Sequence, residues 1–229
     1  MNKSNHIKFF VLIPAYNEGN FIKKLIEDVK KYSADILVVD DGSQDNTVDM
    51  IKEMRVDYLV HETNQGKGAA LADGYRYLLK KDIDYILTMD GDGQHSPDDI
   101  PRFIECAEQT SADIVIGNRM SDTKDMPLDR YLTNRFTSWV VSRMAKQKIP
   151  DSQCGFRLIG TKVLRSVNVD SRNYDAESEI LIKAGRNGFK IESVPVKTIY
   201  GSQESKIHKV KDTIRFFKLI FQLKKKISK

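Results

Sequence analysis

The sequence predicts an α/β fold, with a mostly parallel central sheet and helices on both of its faces. Short apolar runs alternate with amphipathic stretches through the first half of the chain, as strands and their covering helices do in such sheets. The candidate strands cover 9–14, 36–39, 58–60, 85–89 and 114–116. The chain has 229 residues, 40% apolar and 30% charged, which is enough to bury a sheet of this size.

The helices are predicted from apolar residues at helical spacing. One stripe consists of Phe21, Ile22, Leu25, Ile26 and Val29, and a second consists of Ala69, Ala70, Tyr77 and Leu78. Such spacing puts the apolar side chains on one face of a helix, which then packs on the sheet. In the second half, 128–144 and 177–186 have helical patterns and 190–198 has an extended one. We therefore expect one domain over residues 1–206 and a separate C-terminal helix over 207–229.

Several bulk features predict where the protein resides. No apolar run approaches the roughly 18 residues that a membrane-spanning helix needs, and the N-terminus lacks the apolar core of a signal peptide. Cys106 and Cys154 are too few for a disulfide framework or a zinc site. These features predict a cytoplasmic protein. The net charge of +5 is modest, and we expect no nucleic-acid partner.

Asp90 and Asp92 flank a single glycine directly after the fourth predicted strand. In extended backbone, residues two apart point the same way, so both carboxylates are able to face one ligand. Two carboxylates this close repel each other unless a cation lies between them. Hard oxygen ligands favour Mg²⁺ or Mn²⁺, which usually accompany a phosphate. A simple polar turn is the alternative, because Asp-Gly pairs are common in turns.

Polar residues also follow the other predicted strands. In chain order these strand-end residues are Tyr16, Asn17 and Glu18; Asp40, Asp41, Gly42 and Ser43; Asn64, Gln65, Gly66, Lys67 and Gly68; Asp90 and Asp92; and Asn118 and Arg119. Any one group has an ordinary explanation as a cap, a turn or a solvated side chain. In an open parallel sheet, however, ligands bind beyond the carboxyl ends of the strands. The sequence therefore predicts that these groups form one site.

Four of these segments carry a family resemblance. Ile13-Pro14-Ala15-Tyr16-Asn17-Glu18, Asp40-Asp41-Gly42-Ser43, Asn64-Gln65-Gly66-Lys67-Gly68 and Asp90-Gly91-Asp92-Gly93-Gln94 resemble, in order and spacing, the motifs of family 2 glycosyltransferases. The set is most similar to the branch of dolichyl-phosphate mannosyl- and glucosyltransferases. The resemblance covers residues from about 9 to 206. It implies a GT-A fold, an NDP-sugar donor and Mg²⁺ or Mn²⁺ as cofactor.

The resemblance also implies roles for individual residues. Pro14, Ala15, Tyr16 and Glu18, together with Asp41, match the residues that hold the nucleoside. Asp90 and Asp92 match the residues that hold the metal and the donor diphosphate. Gln94 and Lys67 are assigned to the same donor site, and Arg119 matches a basic residue near a donor or acceptor phosphate.

The second half of the chain extends the resemblance to the acceptor side. The segment Asp151-Ser152-Gln153-Cys154-Gly155-Phe156-Arg157 is similar to the family's Asp-x-x-Ser-Gly-Phe-Arg segment. Asp151 is then the acidic residue nearest the acceptor, although a cap or turn is an equal alternative. Glu177 and Glu179 resemble a further acidic element, or else a solvated helix face.

The last part of the resembling region departs from the family pattern at one position. The segment from Gly201 to Lys206 resembles a loop that closes over the donor, and Lys206 fits its end. Tyr200 stands where the family has an arginine. This departure removes one expected phosphate contact.

The end of the chain has the pattern of a basic amphipathic helix. Its apolar stripe consists of Val210, Ile214, Phe217 and Phe221, widened by Phe216, Ile220 and Leu223 and accompanied by seven basic residues: Lys209, Lys211, Arg215, Lys218, Lys224, Lys225 and Lys226. Such a helix suits an anionic membrane surface, which predicts a peripheral enzyme at the inner face of the membrane. The alternative is a helix packed on the domain.

The resemblance implies an inverting transfer of a hexose from an NDP-sugar to a polyprenyl phosphate. The metal on Asp90 and Asp92 would take up charge on the leaving diphosphate, with Arg119 and Lys206 as supporting cations. A polyprenyl phosphate is already an anion, whereas a hydroxyl acceptor would need a base, for which Asp151 is the candidate.

Two other functions fit parts of the sequence. A phosphatase of the haloacid dehalogenase type also has an Asp-x-Asp-Gly segment behind a strand, but normally behind the first strand and followed by Thr or Val. A non-catalytic membrane-associated module of the same fold is the other alternative.

Overall fold

A computed structural model describes residues 7–124, 126–167, 175–199 and 220–221 of the chain. The strands are β1 (Phe9–Ala15), β2 (Ile36–Asp40), β3 (Asp57–Val60), β4 (Tyr85–Thr88), β5 (Ile114–Asn118), β6 (Arg157–Gly160) and β7 (Ile191–Pro195). The α-helices are α1 (Ile22–Val29), α2 (Thr47–Glu53), α3 (Lys67–Leu78), α4 (Ile100–Thr110), α5 (Leu128–Ala145), α6 (Thr161–Ser166) and α7 (Asp175–Arg186). Short 3₁₀ turns cover Pro97–Asp99 and Arg119–Ser121.

The strands form one sheet in the order β3-β2-β1-β4-β6-β5-β7. All neighbouring strands are parallel except β6, which runs antiparallel to both β4 and β5. The five predicted strands are all present, and β7 lies within the predicted extended segment. The predicted α/β fold with a mostly parallel sheet is therefore confirmed.

The helices cover the sheet as chain connectivity requires. Crossovers between parallel strands are right-handed, so α1 and α2 lie on one face while α3, which returns from β3 to β4, lies on the other. The buried residues of α1 are Ile22, Leu25, Ile26 and Val29, four of the five predicted stripe residues. In α3, a Cβ on Gly74 would lie 2.4 Å from Cδ1 of Leu12, so glycine allows this helix to approach the sheet closely.

Strand β6 brings a distant part of the chain to the carboxyl edge of the parallel strands. Thr88, the last residue of β4, pairs with Arg157, the first residue of β6. Because β6 is antiparallel, the residues that precede it lie at the edge where β4 ends. The segment around Asp151 therefore approaches the strand-end residues predicted to form the site.

The C-terminal helix predicted over 207–229 lies outside the described residues, apart from Ile220 and Phe221. Ile220 is partly buried against the core, and Phe221 is exposed. Among the described residues, no helix combines the length and apolarity needed to cross a membrane.

Candidate active site

The site lies where the direction of strand order reverses. Strand β1 has β2 on one side and β4 on the other, and ligands in open α/β sheets bind in the crevice at such a point. The chain leaves β4 through Asp90, Gly91 and Asp92. A Cβ on Gly91 would lie 3.1 Å from the carbonyl oxygen of Pro14, so this segment passes close to the end of β1. The ends of β1 and β4 are thus in contact.

Asp90 binds a lysine from another part of the predicted site. Lys67 Nζ lies 2.6 Å from Oδ1 of Asp90 and 3.3 Å from Oε2 of Glu177. His95 Nε2 lies 3.6 Å from Oδ2 of Asp90. Gly155 faces this cluster, because a Cβ there would lie 2.6 Å from Asp90 Oδ2 and 2.8 Å from Lys67 Nζ. The predicted residues Asp90 and Lys67 are therefore brought together, and Glu177 joins them.

The electrostatics of the two aspartates differ. Burial opposes ionisation of Asp90, but the charge of Lys67 and the hydrogen bond from His95 outweigh it and hold the pKa of Asp90 well below its usual range. Burial and the neighbouring Asp90 charge raise the pKa of Asp92, although its Oδ1 accepts a hydrogen bond from Gln94 N at 3.0 Å. The raised pKa of Asp92 therefore reflects its burial and the negative charge of Asp90.

This carboxylate pair fits a divalent cation. Mg²⁺ is commonly held by one or two carboxylates plus phosphate oxygens and water, and Asp90 and Asp92 supply that number of hard oxygen ligands. A cation beside Asp92 would also relieve the repulsion that raises its pKa. No group of three or more candidate ligands occurs among the residues that the structure describes.

Asp41 organises the loop that precedes α3. Its carboxylate accepts hydrogen bonds from Gln65 N at 2.9 Å and Gly66 N at 2.7 Å, and lies 2.7 Å from His61 Nδ1. His61 Nε2 lies 3.2 Å from Oδ2 of Asp73. Asp41 thus fixes the segment that presents the neighbouring Lys67, while its predicted contact with the nucleoside stays a prediction. His61 was not predicted, although its position just after β3 places it at the same edge.

The segment after β1 is tied to the loop after β2. Asn17 adopts a positive φ of 52°, its N donates to Ser43 Oγ at 2.8 Å, and its Oδ1 accepts from Gln44 N at 2.8 Å. Glu18 is buried, and its N donates to Thr47 Oγ1 at 2.8 Å.

Three other predicted nucleoside residues occupy this edge. Ala15 accepts a hydrogen bond from Asp41 N at 2.8 Å. Pro14 is buried in β1, and Tyr16 is partly exposed just beyond it. The predicted nucleoside residues therefore lie together where β1 and β2 end.

Arg119 and Asp151 form a buried ion pair. Arg119 Nε lies 2.8 Å from Oδ2 of Asp151, Nη2 lies 2.9 Å from Oδ1, and the backbone N of Arg119 also donates to Oδ2. Both side chains are almost completely buried. Burial would raise the pKa of Asp151, but the charge and hydrogen bonds of Arg119 outweigh it and the pKa is lowered. Asp151 also accepts from Gln153 N, which is the contact expected from the alternative interpretation as a turn.

Removing one member of this ion pair is expected to destabilise the protein more than removing both. Arg119→Met leaves an ionised Asp151 buried without its cation and is expected to lower the free energy of unfolding by about 3–5 kcal/mol at neutral pH. The double variant Arg119→Met/Asp151→Leu, which leaves no buried charge at this pair, is expected to recover most of that loss. Urea unfolding curves of the three proteins measure both effects.

The sign of the pH dependence follows from the pKa of Asp151. In the wild type this pKa is lowered, so the stability it contributes is present above the unfolded value near 3.9 and is lost as pH falls below it. In Arg119→Met, burial without the cation raises the pKa of Asp151, and the destabilisation shrinks as pH falls from about 7 towards 4. A pH-independent difference between the two proteins would contradict a charge-based role.

Arg157 holds the segment before β6 in place through hydrogen bonds to its backbone. It is fully buried, and its guanidinium donates to the carbonyl oxygens of Ser152, Cys154 and Glu177 at 2.9, 2.7 and 2.7 Å. Glu177 and Glu179 are buried, and Glu179 pairs with Lys183 at 2.6 Å. The alternative of a solvated helix face for these two glutamates was therefore wrong.

The remaining site residues are the predicted loop residues at 200 and 206 and two residues that follow Asp92. Lys206 and Tyr200 lie outside the described residues, so their roles stay predictions. Gln94 lies beside the aspartates, and its carbonyl oxygen accepts a hydrogen bond from Ile199 N at 2.9 Å. His95 is buried, forms a β-bridge with Thr198, and its Nε2 lies 3.6 Å from Oδ2 of Asp90.

Comparisons with known proteins identify a family. Residues 10–167 match the family model described as Glycosyl transferase family 2. The UDP-N-acetylglucosamine–dolichyl-phosphate N-acetylglucosaminyltransferase of Methanococcus voltae is 33% identical, over 83% of this chain and 85% of that protein. The undecaprenyl-phosphate mannosyltransferase of Micrococcus luteus is 29% identical, over 83% of each chain.

A solved structure shares the fold. Glucosyl-3-phosphoglycerate synthase from Mycobacterium tuberculosis, crystallised with Mn²⁺, UDP and glucosyl-3-phosphoglycerate, superposes with a TM-score of 0.75 at 17% identity, covering 95% of this chain and 80% of that one. This likeness confirms the predicted GT-A fold. The family match over most of the sequence shows that the chain belongs to glycosyl transferase family 2.

Proposed function

We propose that the protein is a metal-dependent, inverting glycosyltransferase that moves a hexose from an NDP-sugar to a polyprenyl phosphate. The observation that carries this proposal is the cluster at the switch point of the sheet, where Lys67 lies 2.6 Å from Asp90 and Asp92 follows two residues later. Such a cluster has both the hard oxygen ligands and the positive charge that a sugar diphosphate requires.

In this proposal, the residues at the ends of β1, β2 and β4 form the donor site. Pro14, Ala15, Tyr16 and Glu18 border the nucleoside, together with the loop that Asp41 fixes. Asp90 and Asp92 would hold Mg²⁺ or Mn²⁺, which supplies positive charge to the departing diphosphate. Lys67 adds a cation at the same place, and Lys206 is proposed as a further one from the closing loop.

The environment of Asp151 favours an acceptor that is already an anion. Asp151 is buried, has a lowered pKa and is bound on both carboxylate oxygens by Arg119. A general base needs an accessible oxygen and a pKa near the working pH, and Asp151 has neither. A phosphate acceptor attacks without losing a proton, so this site needs no base.

The named relatives support the same class of acceptor. The proteins from Methanococcus voltae and Micrococcus luteus carry dolichyl phosphate and undecaprenyl phosphate in their names. A polyprenyl phosphate therefore fits both the chemistry of the site and the relatives. Neither comparison supports the phosphatase alternative, and the site has its Asp-x-Asp segment behind β4 rather than behind the first strand.

The affinity for nucleoside diphosphates is expected to depend on the metal. We expect UDP or GDP to bind at least about tenfold more tightly with Mn²⁺ than with EDTA, because a divalent cation offsets the charge of the diphosphate beside Asp90 and Asp92. Isothermal titration with UDP, GDP, UMP and GMP measures this. Equal affinity for mono- and diphosphates, with and without metal, would contradict the proposed donor site.

A further inference from the structure

Helix α5 turns its large apolar side chains outwards. Leu128, Leu132, Phe136 and Trp139 are 71%, 56%, 47% and 57% exposed. Their spacing of four, four and three residues places all four on one face of the helix, which we call the outer face of α5. These four residues are half of the large apolar side chains found exposed among the described residues.

The opposite face of α5 is largely polar and holds the acceptor-side loop. Ser138 Oγ accepts a hydrogen bond from Ser152 N at 2.9 Å, and Ser142 Oγ accepts one from Ile149 N at 2.9 Å. Asn134 and Thr137 are also buried on this side. The helix is thus inverted relative to an ordinary surface helix, which buries its apolar face. Hydrogen bonds to the loop explain the polar inner face, whereas the large apolar side chains of the outer face stay about half exposed or more in the described part of the chain.

Positive charge is interleaved with the apolar residues. Arg135 and Arg143 are exposed at helical positions within the same face. Arg143 lies over the ring of Trp139 at 5.7 Å, and the rings of Phe136 and Trp139 lie 6.3 Å apart. Apolar side chains, a tryptophan and arginines on one helix face match the chemistry of an anionic lipid interface.

We propose that the outer face of α5 docks on an anionic lipid bilayer. The helix would lie in the headgroup region, with Leu128, Leu132, Phe136 and Trp139 inserted and the two arginines on lipid phosphates. Ser152, bound to the inner face, follows Asp151 and its partner Arg119, so docking brings this side of the site to the membrane surface. The inference rests on the proposed function for its purpose, but lipid binding is measured independently of catalysis.

Trp139 gives a direct readout, because it is the only tryptophan in the sequence. With the full chain, we expect its emission to shift to the blue on vesicles of phosphatidylcholine and phosphatidylglycerol. The shift should be smaller on pure phosphatidylcholine and should weaken with added salt. An unchanged emission spectrum on anionic vesicles would overturn the proposal.

Matched variants distinguish lipid binding by the outer face of α5 from non-specific binding by exposed apolar residues elsewhere. Leu128→Ser/Leu132→Ser, which keeps Trp139, is expected to bind anionic vesicles at least about tenfold more weakly. Arg135→Gln/Arg143→Gln should lose the preference for anionic lipid. Tyr58→Ser/Val60→Ser, a pair of exposed apolar residues on β3, should bind as the wild type does. Equal losses in the α5 and β3 variants would overturn the proposal.

Two other occupants of the outer face give different results. A second copy of the chain would shift Trp139 emission with protein concentration in the absence of lipid, together with a doubled mass. Coverage by the C-terminal segment would make Phe217→Ser/Phe221→Ser shift the emission to the red without vesicles. Either result would overturn the proposal.

Comparing transfer to short and long prenyl phosphates distinguishes a failure of lipid docking from a failure of the proposed function. Leu128→Ser/Leu132→Ser should transfer sugar normally to a short, water-soluble prenyl phosphate, but poorly to a long-chain one in vesicles. If the wild type binds vesicles but transfers to neither acceptor, the proposed function fails while lipid docking stands. If the variant loses both activities equally, docking by α5 fails.

Discussion

Asp92→Asn is expected to lower the rate of sugar transfer by about a thousandfold or more, while the protein stays folded. A thousandfold corresponds to about 4 kcal/mol of transition-state stabilisation, within the range that a metal ion supplies to a leaving diphosphate. The substitution removes one of the two carboxylates that follow β4 and keeps an oxygen able to accept from Gln94 N. The pKa of Asp92 is raised by burial and by Asp90, so its charge does not stabilise the fold, and stability should be unchanged or slightly higher.

A matched control isolates the effect of Asp92. Asp82→Asn removes the same charge from a side chain that is 98% exposed and pairs only at the surface, with Lys8. We expect that control to keep full activity. The measurements are kcat/KM for transfer and the Mn²⁺-dependent affinity for UDP and GDP. A folded Asp92→Asn protein with undiminished metal-dependent nucleotide affinity would exclude Asp92 as a metal ligand.

Arg157→Met is expected to lower the free energy of unfolding by about 3–5 kcal/mol. The buried guanidinium donates to three carbonyl oxygens, and methionine leaves all three without these donors. Two of those carbonyls belong to Ser152 and Cys154, in the loop that leads into β6, and the third belongs to Glu177 at the start of α7. The substitution should therefore also loosen the acceptor side of the site.

Arg165→Met provides the comparison for Arg157. Arg165 is exposed and donates to one carbonyl oxygen, that of Leu79 at 2.7 Å, so its substitution should cost about 1 kcal/mol or less. Urea unfolding measures both losses of free energy. Equal losses in the two variants would show that the buried hydrogen bonds of Arg157 do not stabilise the loop.

The sheet was predictable because most of its strands are short apolar runs. Strand β6 was not predicted as a strand, since it begins with the charged residue Arg157 and spans four residues, Arg157–Gly160. Nothing local in the sequence shows that this arginine would be fully buried on carbonyl oxygens. Its burial depends on Ser152 and Glu177, which only the folded chain brings to it.

The location of the site was predictable because parallel strands end at one edge. That rule alone assigns Asp41, Asp90 and Arg119 to the same region of the molecule. The partners of these residues were not predictable. Lys67 reaches Asp90 from the start of α3, and Asp151 reaches Arg119 through the antiparallel strand β6. Sequence pattern gives strand ends, whereas ion pairs depend on how neighbouring loops pack.

Helix α5 shows a different limit of sequence reasoning. Its helical pattern predicted the element within one residue at its end, but apolar residues in a helical pattern are ordinarily assigned to the core. Here Leu132 and Trp139 lie outwards, because Ser138 and Ser142 bind the loop on the inner side. Only the folded structure distinguishes an apolar face that packs from one that remains exposed.

Transfer of labelled sugar into a lipid product tests the proposed function most directly. The full chain is incubated with UDP- and GDP-linked hexoses, Mn²⁺ or Mg²⁺ and a polyprenyl phosphate, and the label in the organic phase is compared with the released nucleoside diphosphate. We expect label in the lipid in equal amount to the diphosphate, lost in Asp92→Asn and kept in Asp82→Asn. Label that stays in the aqueous phase, whether or not nucleoside diphosphate is released, would contradict a polyprenyl-phosphate glycosyltransferase.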